Sequence, residues 1–318
     1  MPFITRFIAS QLKTLPPLPD VDLGGMVYII TGANSGIGLE IAKHLVQRRA
    51  SKIILAVRDI AKGEVAKVEI LKHAKKDRET EVEIWKVDMA SFESVTDFAK
   101  RCERLERLDA VALNAGVIMK EFERSIDGHE MSIQVNVLSP VYLALLLAPI
   151  INRSSTLTGQ KGKIIFTGSE TTEVANTKSL SPSKPLATLD DKKTFVASER
   201  YYQSKLVLQS LIKPLIFQFP KLIITNVGPG FVNSPLYRGG GAAAIAARRI
   251  GRTPEQGARN VGFALLTLDK STDWYVDCGV AKLHQPWLDS TDGRLFSQNL
   301  WKEALREFGE LSSDLRIE

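Results

Sequence analysis

The sequence predicts an α/β protein: one doubly wound parallel sheet with helices on both faces, in a single domain. Three observations carry that prediction. Short apolar runs alternate with helix-length stretches, the first run enters a helical pattern through a glycine-rich turn, and neither a second core nor a tandem repeat interrupts the 318 residues. Strands joined by helix-length crossovers lie parallel, and a parallel sheet needs helices to cover both faces.

The N-terminal segment MPFITRFIASQLKTLPPLPD sets Phe3, Ile4, Phe7, Ile8 and Leu12 at helical spacing, with no basic residue ahead of the apolar part. It reads as an amphipathic helix packed on the body rather than as a signal peptide or a membrane-surface anchor. Pro16, Pro17 and Pro19 end it, so residues 1–20 form a helix and proline-rich linker ahead of one domain over 21–318. The first strand is Val27 to Thr31, followed by a helix from Gly36 to Gln47, a second strand from Lys52 to Val57 and a charged helix from Ala61. Further strands are expected at Val82 to Val87, Ala110 to Asn114, Lys163 to Thr167 and Leu222 to Val227.

The longest apolar stretch, Val141 to Ile151, falls short of a bilayer span, carries Pro149 and reads as a buried helix. Two long breaks remain, Thr171 to Ala197 and Asn233 to Thr253, the second containing GGGAAAIAARR. Both follow predicted strands, so both are expected to frame a pocket, with 233–253 as a substrate loop and 280–318 as a C-terminal extension.

Forty-two basic against thirty-six acidic residues give a net charge of +6, enough to favour a phosphate-bearing cofactor but short of a nucleic-acid signature. The runs Lys72 to Arg78 and Lys100 to Arg107 mix both signs and read as solvated helix faces. Cys102 and Cys278 are too few for a disulfide framework, and the four histidines lack metal-ligand spacing. A reducing, cytoplasmic setting and a metal-free site are the resulting expectations.

The turn TGANSGIG, residues 31–38, follows a strand and opens a helix, the context a dinucleotide site requires. Gly32, Gly36 and Gly38 let the chain turn sharply, approach a pyrophosphate and pack the helix on the strand. The second strand ends LAVRD, where Ala56 and Val57 cannot chelate a ribose diol. The Arg58 guanidinium can instead bind a 2′-phosphate, with Ser35 adding a hydroxyl, so NADP(H) is favoured and NAD is less favoured. Asp59 argues the other way, or pairs with Arg58 on the surface. In RYYQSKLV, residues 200–207, both Tyr201 and Tyr202 can reach Lys205 along one helix, where an ammonium would favour a phenolate.

The TGxxxGxG spacing resembles that of the short-chain dehydrogenases/reductases, and further motifs match that family in order: Asp88 in VDMAS, Asn114 to Gly116 in LNAG, Asn136 in QVNVLS, Ser169 in IIFTGSE, Tyr201 and Lys205 in RYYQSK, and Pro229 and Gly230 in NVGPGFVNS. The resemblance implies a Rossmann-type fold and a hydride-transferring enzyme. It selects Tyr201 over Tyr202 as acid/base, with Lys205 lowering its pKa and holding the nicotinamide ribose, Ser169 binding the substrate oxygen and Asn136 holding a relay water. The wide gap between Ser169 and Tyr201 leaves Thr167, Thr171 and Thr172 as nearby hydroxyls.

By the same resemblance the cofactor contacts are Gly32, Asn34, Ser35, Gly36, Ile37, Gly38, Arg58, Asp88, Met89, Asn114, Ala115, Gly116, Tyr201, Lys205, Pro229, Gly230, Val232 and Ser234. QLKTLPPLPDVDLGG, LAVRDIAKGE and RYYQSKL look most like the retinol-dehydrogenase-like and protochlorophyllide-reductase-like branch, especially its fungal members. That implies a carbonyl or secondary alcohol on an apolar small molecule as substrate, a setting in secondary-metabolite biosynthesis and a homodimer or homotetramer. Two other readings stay open: a redox-silent NADP(H)-binding sensor or scaffold, and a pocket used for isomerisation, dehydration or cyclisation.

Overall fold

The first strand places Tyr28 and Ile30 on one face of a sheet and Ile29 on the other, and each set finds its own core. The computed structural model describes residues 2–75, 79–237 and 240–312. Lys76 to Arg78 of the first charged run, positions 238–239 of the substrate loop and the end of the C-terminal extension from 313 lie outside the described residues.

Strands β1 (Val27–Thr31), β2 (Lys52–Val57), β3 (Glu81–Lys86), β4 (Ala110–Leu113), β5 (Lys163–Thr167) and β6 (Ile223–Gly228) form the parallel part of one sheet, ordered β3-β2-β1-β4-β5-β6 and continued by β7 (Tyr275–Val276) and β8 (Gly279–Val280). β1 pairs with both β2 and β4, so strand order reverses there and a crevice opens at the carboxyl ends of the strands. α2 (Gly36–Gln47), α3 (Ile60–Leu71) and α10 (Pro254–Thr267) cover one face with residues such as Ile41, Leu45, Ile70 and Val261. The other face is covered by α4 (Phe92–Cys102), α8 (Ala197–Gln218), α11 (Thr291–Leu311) and the long helix Met131–Thr158, through Phe98, Leu143, Leu211 and Phe296.

The long helix is continuous through α5 (Met131–Ile133), a π-helical turn (Gln134–Leu138) and α6 (Ser139–Thr158). It is long and apolar enough to cross a membrane by length and composition, unlike the shorter run expected, but its side chains are spent in the core. Lys100, Arg101, Glu103 and Arg104, at and beyond the end of α4, are exposed as expected.

Three expectations need correction. The sheet is not wholly parallel: β8 runs antiparallel to β7 across a tight turn in which Asp277 and Cys278 both adopt positive φ, 54° and 60°. The segment 171–197 is not an open loop. It holds a 3-10 turn (Glu170–Val174) and α7 (Pro185–Leu189), and it packs against α11, where Glu303 accepts from the Leu186 N–H at 2.9 Å and Asn299 donates to the Pro182 carbonyl at 2.8 Å. It therefore does not line the cleft described below. The substrate loop also carries structure: a 3-10 turn (Pro235–Tyr237) and α9 (Ala242–Ile250).

At the N-terminus, α1 (Phe3–Gln11) is helical as read, but the stripe expected to pack on the body leaves Ile4, Ile8 and Leu12 exposed, with only Phe3 and Phe7 half-buried, because polar contacts hold the helix; the segment that follows buries Leu15, Leu18 and Leu23. Arg48 fixes the linker by donating to the carbonyls of Leu18 (2.8 Å) and Pro19 (2.7 Å).

Candidate active site

A cleft of about 550 Å³ lies at the carboxyl ends of the strands and is lined from α2, the ends of β2 to β5, α8 and the segment after β6. Its floor is the turn 31–38. Gly32 (φ 66°) and Gly36 (φ 59°) hold left-handed conformations that side chains disfavour. A Cβ on Gly38 would stand 2.6 Å from the Gly32 carbonyl oxygen and 2.7 Å from Asn114 Nδ2, so glycine there is a steric requirement. Ser35 occupies the N-cap of α2 but makes no side-chain capping bond. The first amides of the helix are thus not consumed by their cap and face a cleft, which suits an anionic pyrophosphate.

The neighbouring turn is stitched to this one. Thr31 Oγ1 accepts from the N–H groups of Asn114 (2.9 Å) and Ala115 (3.0 Å), while Asn114 Nδ2 donates to the Thr31 carbonyl at 3.1 Å. Asn34, Ile37, Asp88, Met89, Ala115 and Gly116 all line the cleft. Asp88 spends one oxygen on the Ala90 N–H at 3.0 Å. Pro229 and Ser234 close the far side. Gly230 and Val232, expected as cofactor contacts, are not among the lining residues: a Cβ on Gly230 (φ 87°) would stand 2.6 Å from Arg252 Nη1, and Val232 is buried at 4% exposure against Gly257 of α10.

Arg58 is exposed, lines the cleft and has no ion-pair partner among the described residues. Asp59 does not pair with it. It caps α3 by accepting from the Lys62 N–H and pairs with the Lys62 ammonium at 2.8 Å. Lys62, which sequence reasoning missed, lines the cleft beside Arg58. Its spacing of three from an N-cap aspartate was the signal that could have found it.

Asn136 is buried in the π-helical turn, a feature frequent at functional sites. Its side chain is fully used: Oδ1 accepts from Val117 N–H at 2.9 Å, and Nδ2 donates to the Val117 carbonyl and to Ser204 Oγ, each at 3.0 Å. Four residues on stands Pro140, which has no N–H for the Asn136 carbonyl. With the amide spent, a water at this residue would have to use the carbonyl, although bonding in this turn reaches five residues on, as from the Ser139 N–H to the Gln134 carbonyl, and Val141 has an N–H to offer.

On α8, Tyr201 and Lys205 line the cleft and Tyr202 does not. Tyr202 packs partly against the core, its ring 6.2 Å from that of Tyr201. Lys205 Nζ stands 5.9 Å from the Tyr201 ring centroid and donates to the Thr167 carbonyl at 2.8 Å. Burial pulls the Lys205 ammonium down to about 8. Burial also pushes the Tyr201 phenol well above its ordinary value, and the nearby Tyr237 phenol adds to this, while a hydrogen bond with Ser169 opposes it. The net direction is upward, against the lowering expected from Lys205.

Ser169 Oγ accepts from both the N–H (3.3 Å) and the hydroxyl (2.9 Å) of Thr171, and its own proton serves the hydrogen bond with Tyr201; Ser169 is not among the residues that line the cleft. Of the alternative hydroxyls, Thr172 is fully buried and Thr171 is spent on Ser169.

A sequence profile described as short chain dehydrogenase matches residues 26–182. The short chain dehydrogenase sol3 of Alternaria solani is 36% identical over 81% of this chain and 91% of its own length. The short chain dehydrogenase/reductase mfmJ of Annulohypoxylon moriforme is 33% identical over 96% and 92%. Among solved structures, the NADPH-dependent 3-quinuclidinone reductase of Rhodotorula rubra superposes with a TM-score of 0.59 over 84% of this chain and 97% of that one, at 20% identity. Sequence kinship over most of the chain, on a sheet that reverses its order where the glycine turn sits, makes this protein a member of the short-chain dehydrogenase/reductase family.

Proposed function

We propose that the chain is an NADP(H)-dependent oxidoreductase that interconverts a carbonyl and a secondary alcohol on an apolar small molecule, with Tyr201 as acid/base. The observation that carries this reading is the meeting, in one cleft, of the glycine turn with its uncapped helix amides, Arg58 without an ion-pair partner among the described residues, and the Tyr201–Lys205 pair. The residues fit the dinucleotide: positive-φ glycines leave room for backbone approach, and Arg58 in the cleft lining would supply a cation for a 2′-phosphate, while Lys62 beside it balances Asp59. The NADPH named for the Rhodotorula enzyme supports the same choice by analogy of fold.

A bound nicotinamide would supply or accept the hydride. The chain's part is the proton. Tyr201, held neutral by burial, donates to the substrate oxygen in reduction, and the Ser169 hydroxyl, hydrogen-bonded to Tyr201 in this structure, would turn its proton to that oxygen. Lys205, fixed on the Thr167 carbonyl and charged at neutral pH, stabilises the phenolate left behind. The Asn136 backbone would hold the water that returns the proton. Met119, Leu236 and Pro235 in the cleft lining suit an apolar substrate. Kinship with fungal dehydrogenases supports a place in fungal secondary-metabolite biosynthesis.

NADPH absorbance with a panel of ketones tests the reading. Turnover should vanish in Tyr201→Phe, a loss of at least about a hundredfold, and survive in Tyr202→Phe. Arg58→Ala should weaken NADPH about tenfold or more and leave NADH within about twofold. Tight NADPH binding with no turnover on any ketone or alcohol would instead favour a redox-silent protein.

A further inference from the structure

The N-terminal helix is packed on the substrate side of the site by specific contacts. Gln11 brackets one residue of the segment after β6: its Nε2 donates to the Phe231 carbonyl at 2.7 Å and its Oε1 accepts from the Phe231 N–H at 3.1 Å. One residue back, the Ser10 carbonyl accepts from Arg252 Nη2, and Ser10 Oγ donates to Asp277, which also pairs with Arg252 at 2.8 Å. Arg6 pairs with Glu173, on the 3-10 turn that begins just past Ser169. α1 therefore ties together the two turns that flank the reacting centre.

The same helix completes an aromatic run. Phe7 lies 6.4 Å from Phe231, and Phe231 lies 5.6 Å edge-on from Tyr237. Tyr237 closes the short turn whose Pro235 and Leu236 line the cleft with Tyr201. All three rings are only half-buried, whereas the core aromatics Phe92, Phe166, Phe296 and Phe308 are wholly enclosed. None of the three lines the 550 Å³ cleft itself; Tyr237 lines an adjoining cavity that shares Gly36, Ser234 and Pro235 with it, and partly open rings so placed offer a contact surface rather than core filling. Burial and the neighbouring Tyr202 phenol push Tyr237 up to about 12, which keeps this face uncharged.

We propose that α1 is a wall of the substrate site, that Gln11 is its positioning residue, and that the Phe231 and Tyr237 face it fixes selects carbonyl compounds with an aromatic ring beside the reacting carbon. The substrate class rests on the carbonyl-reductase reading above, so the test measures binding as well as turnover. Propiophenone and cyclohexyl ethyl ketone differ only in ring saturation and can be titrated by ligand-observed NMR, with and without NADP+.

The wild-type protein should bind the aromatic ketone about fivefold tighter, the scale of one aromatic contact. Phe231→Leu should erase that preference. Gln11→Ala should weaken propiophenone about tenfold while NADPH affinity stays within about twofold, a split that general loosening of the fold would not produce. Equal binding of the two ketones by the wild type would overturn the substrate class. Unchanged propiophenone binding in Gln11→Ala, or a parallel loss of NADPH, would overturn the role of α1. If Gln11→Ala fails to fold, Phe7→Leu carries the same comparison. An aromatic preference without turnover would sink the reductase reading and leave this one standing.

Discussion

Removing the Asn136 side chain separates its architectural work from its part in the reaction. Asn136 is buried and makes three hydrogen bonds, two of them to the backbone of Val117 beside the cleft. In Asn136→Ala the Val117 N–H and carbonyl lose their partners, at about 1–3 kcal/mol for each buried group. Val117 is only half-buried, so water relieves part of this and the expected loss is about 2–4 kcal/mol. That is a large share of a folding free energy of about 5–15 kcal/mol. For 318 residues the unfolding entropy is about 0.7 kcal/mol/K, so Tm should fall by about 3–6 °C. Thermal unfolding by circular dichroism, with urea unfolding as a second measure, reads this directly. Asn136→Asp should fare no better, because a second carboxylate oxygen would face the Val117 carbonyl. The backbone carbonyl at 136 survives both changes, so protein that remains folded should retain measurable turnover. A variant that melts within about 1 °C of wild type yet is inactive would refute the argument and return the catalytic role to the amide.

Two pH effects and one steric effect follow from the same structure. His129 bridges Asp190 (2.8 Å) and Glu307 (2.7 Å); burial pulls its pKa down, but the two carboxylates outweigh burial and push it up to about 9. A pKa raised on folding gives stability that is complete below about 6.5 and lost as pH rises through 9. Tm differences between wild type and His129→Gln should therefore shrink across that window. Glu170 behaves oppositely as a liability: burial pushes its carboxyl up to about 7, so its ionisation costs stability as pH rises from 4.5 through 7. Glu170→Gln should gain on wild type over that range, and parallel Tm curves would contradict the assignment. Gly38→Ala must move the Gly32 carbonyl or Asn114, so NADPH affinity should drop about tenfold or more in a fluorescence titration, with only a modest fall in Tm.

The central strands were legible because their apolar runs are continuous and punctuated by turns, and β1, β2 and β5 begin and end where the pattern does. The β7–β8 hairpin was not legible. Two-residue strands carry no periodicity, and the Asp-Cys turn lacks the glycine that usually marks paired positive φ angles. Segment 171–197 looked like an open loop because its partners are polar groups on α11, and such pairing leaves no hydrophobic period to read. For the site, motif order located the residues but not the atoms that act. Asn136 was legible as a position, yet only the structure places its amide on Val117.

The same distinction decides the cofactor argument. An aspartate at the end of the second strand is the ordinary means of binding a ribose diol, so in sequence Asp59 opposes Arg58. One position of displacement along the chain changes its geometry. Asp59 sits at the N-cap of α3, where its carboxylate satisfies the Lys62 amide and draws in the Lys62 ammonium. Its charge is thus neutralised by a cation from the same helix turn, and Arg58 is left without an acidic partner among the described residues. The two residues that seemed to cancel instead leave a net positive rim, so removing Asp59 should not convert the protein to NADH. Asp59→Asn, which keeps the cap and drops the charge, should leave the NADPH preference intact or raise it. A shift toward NADH in that variant would show that Asp59, rather than Arg58, governs the choice.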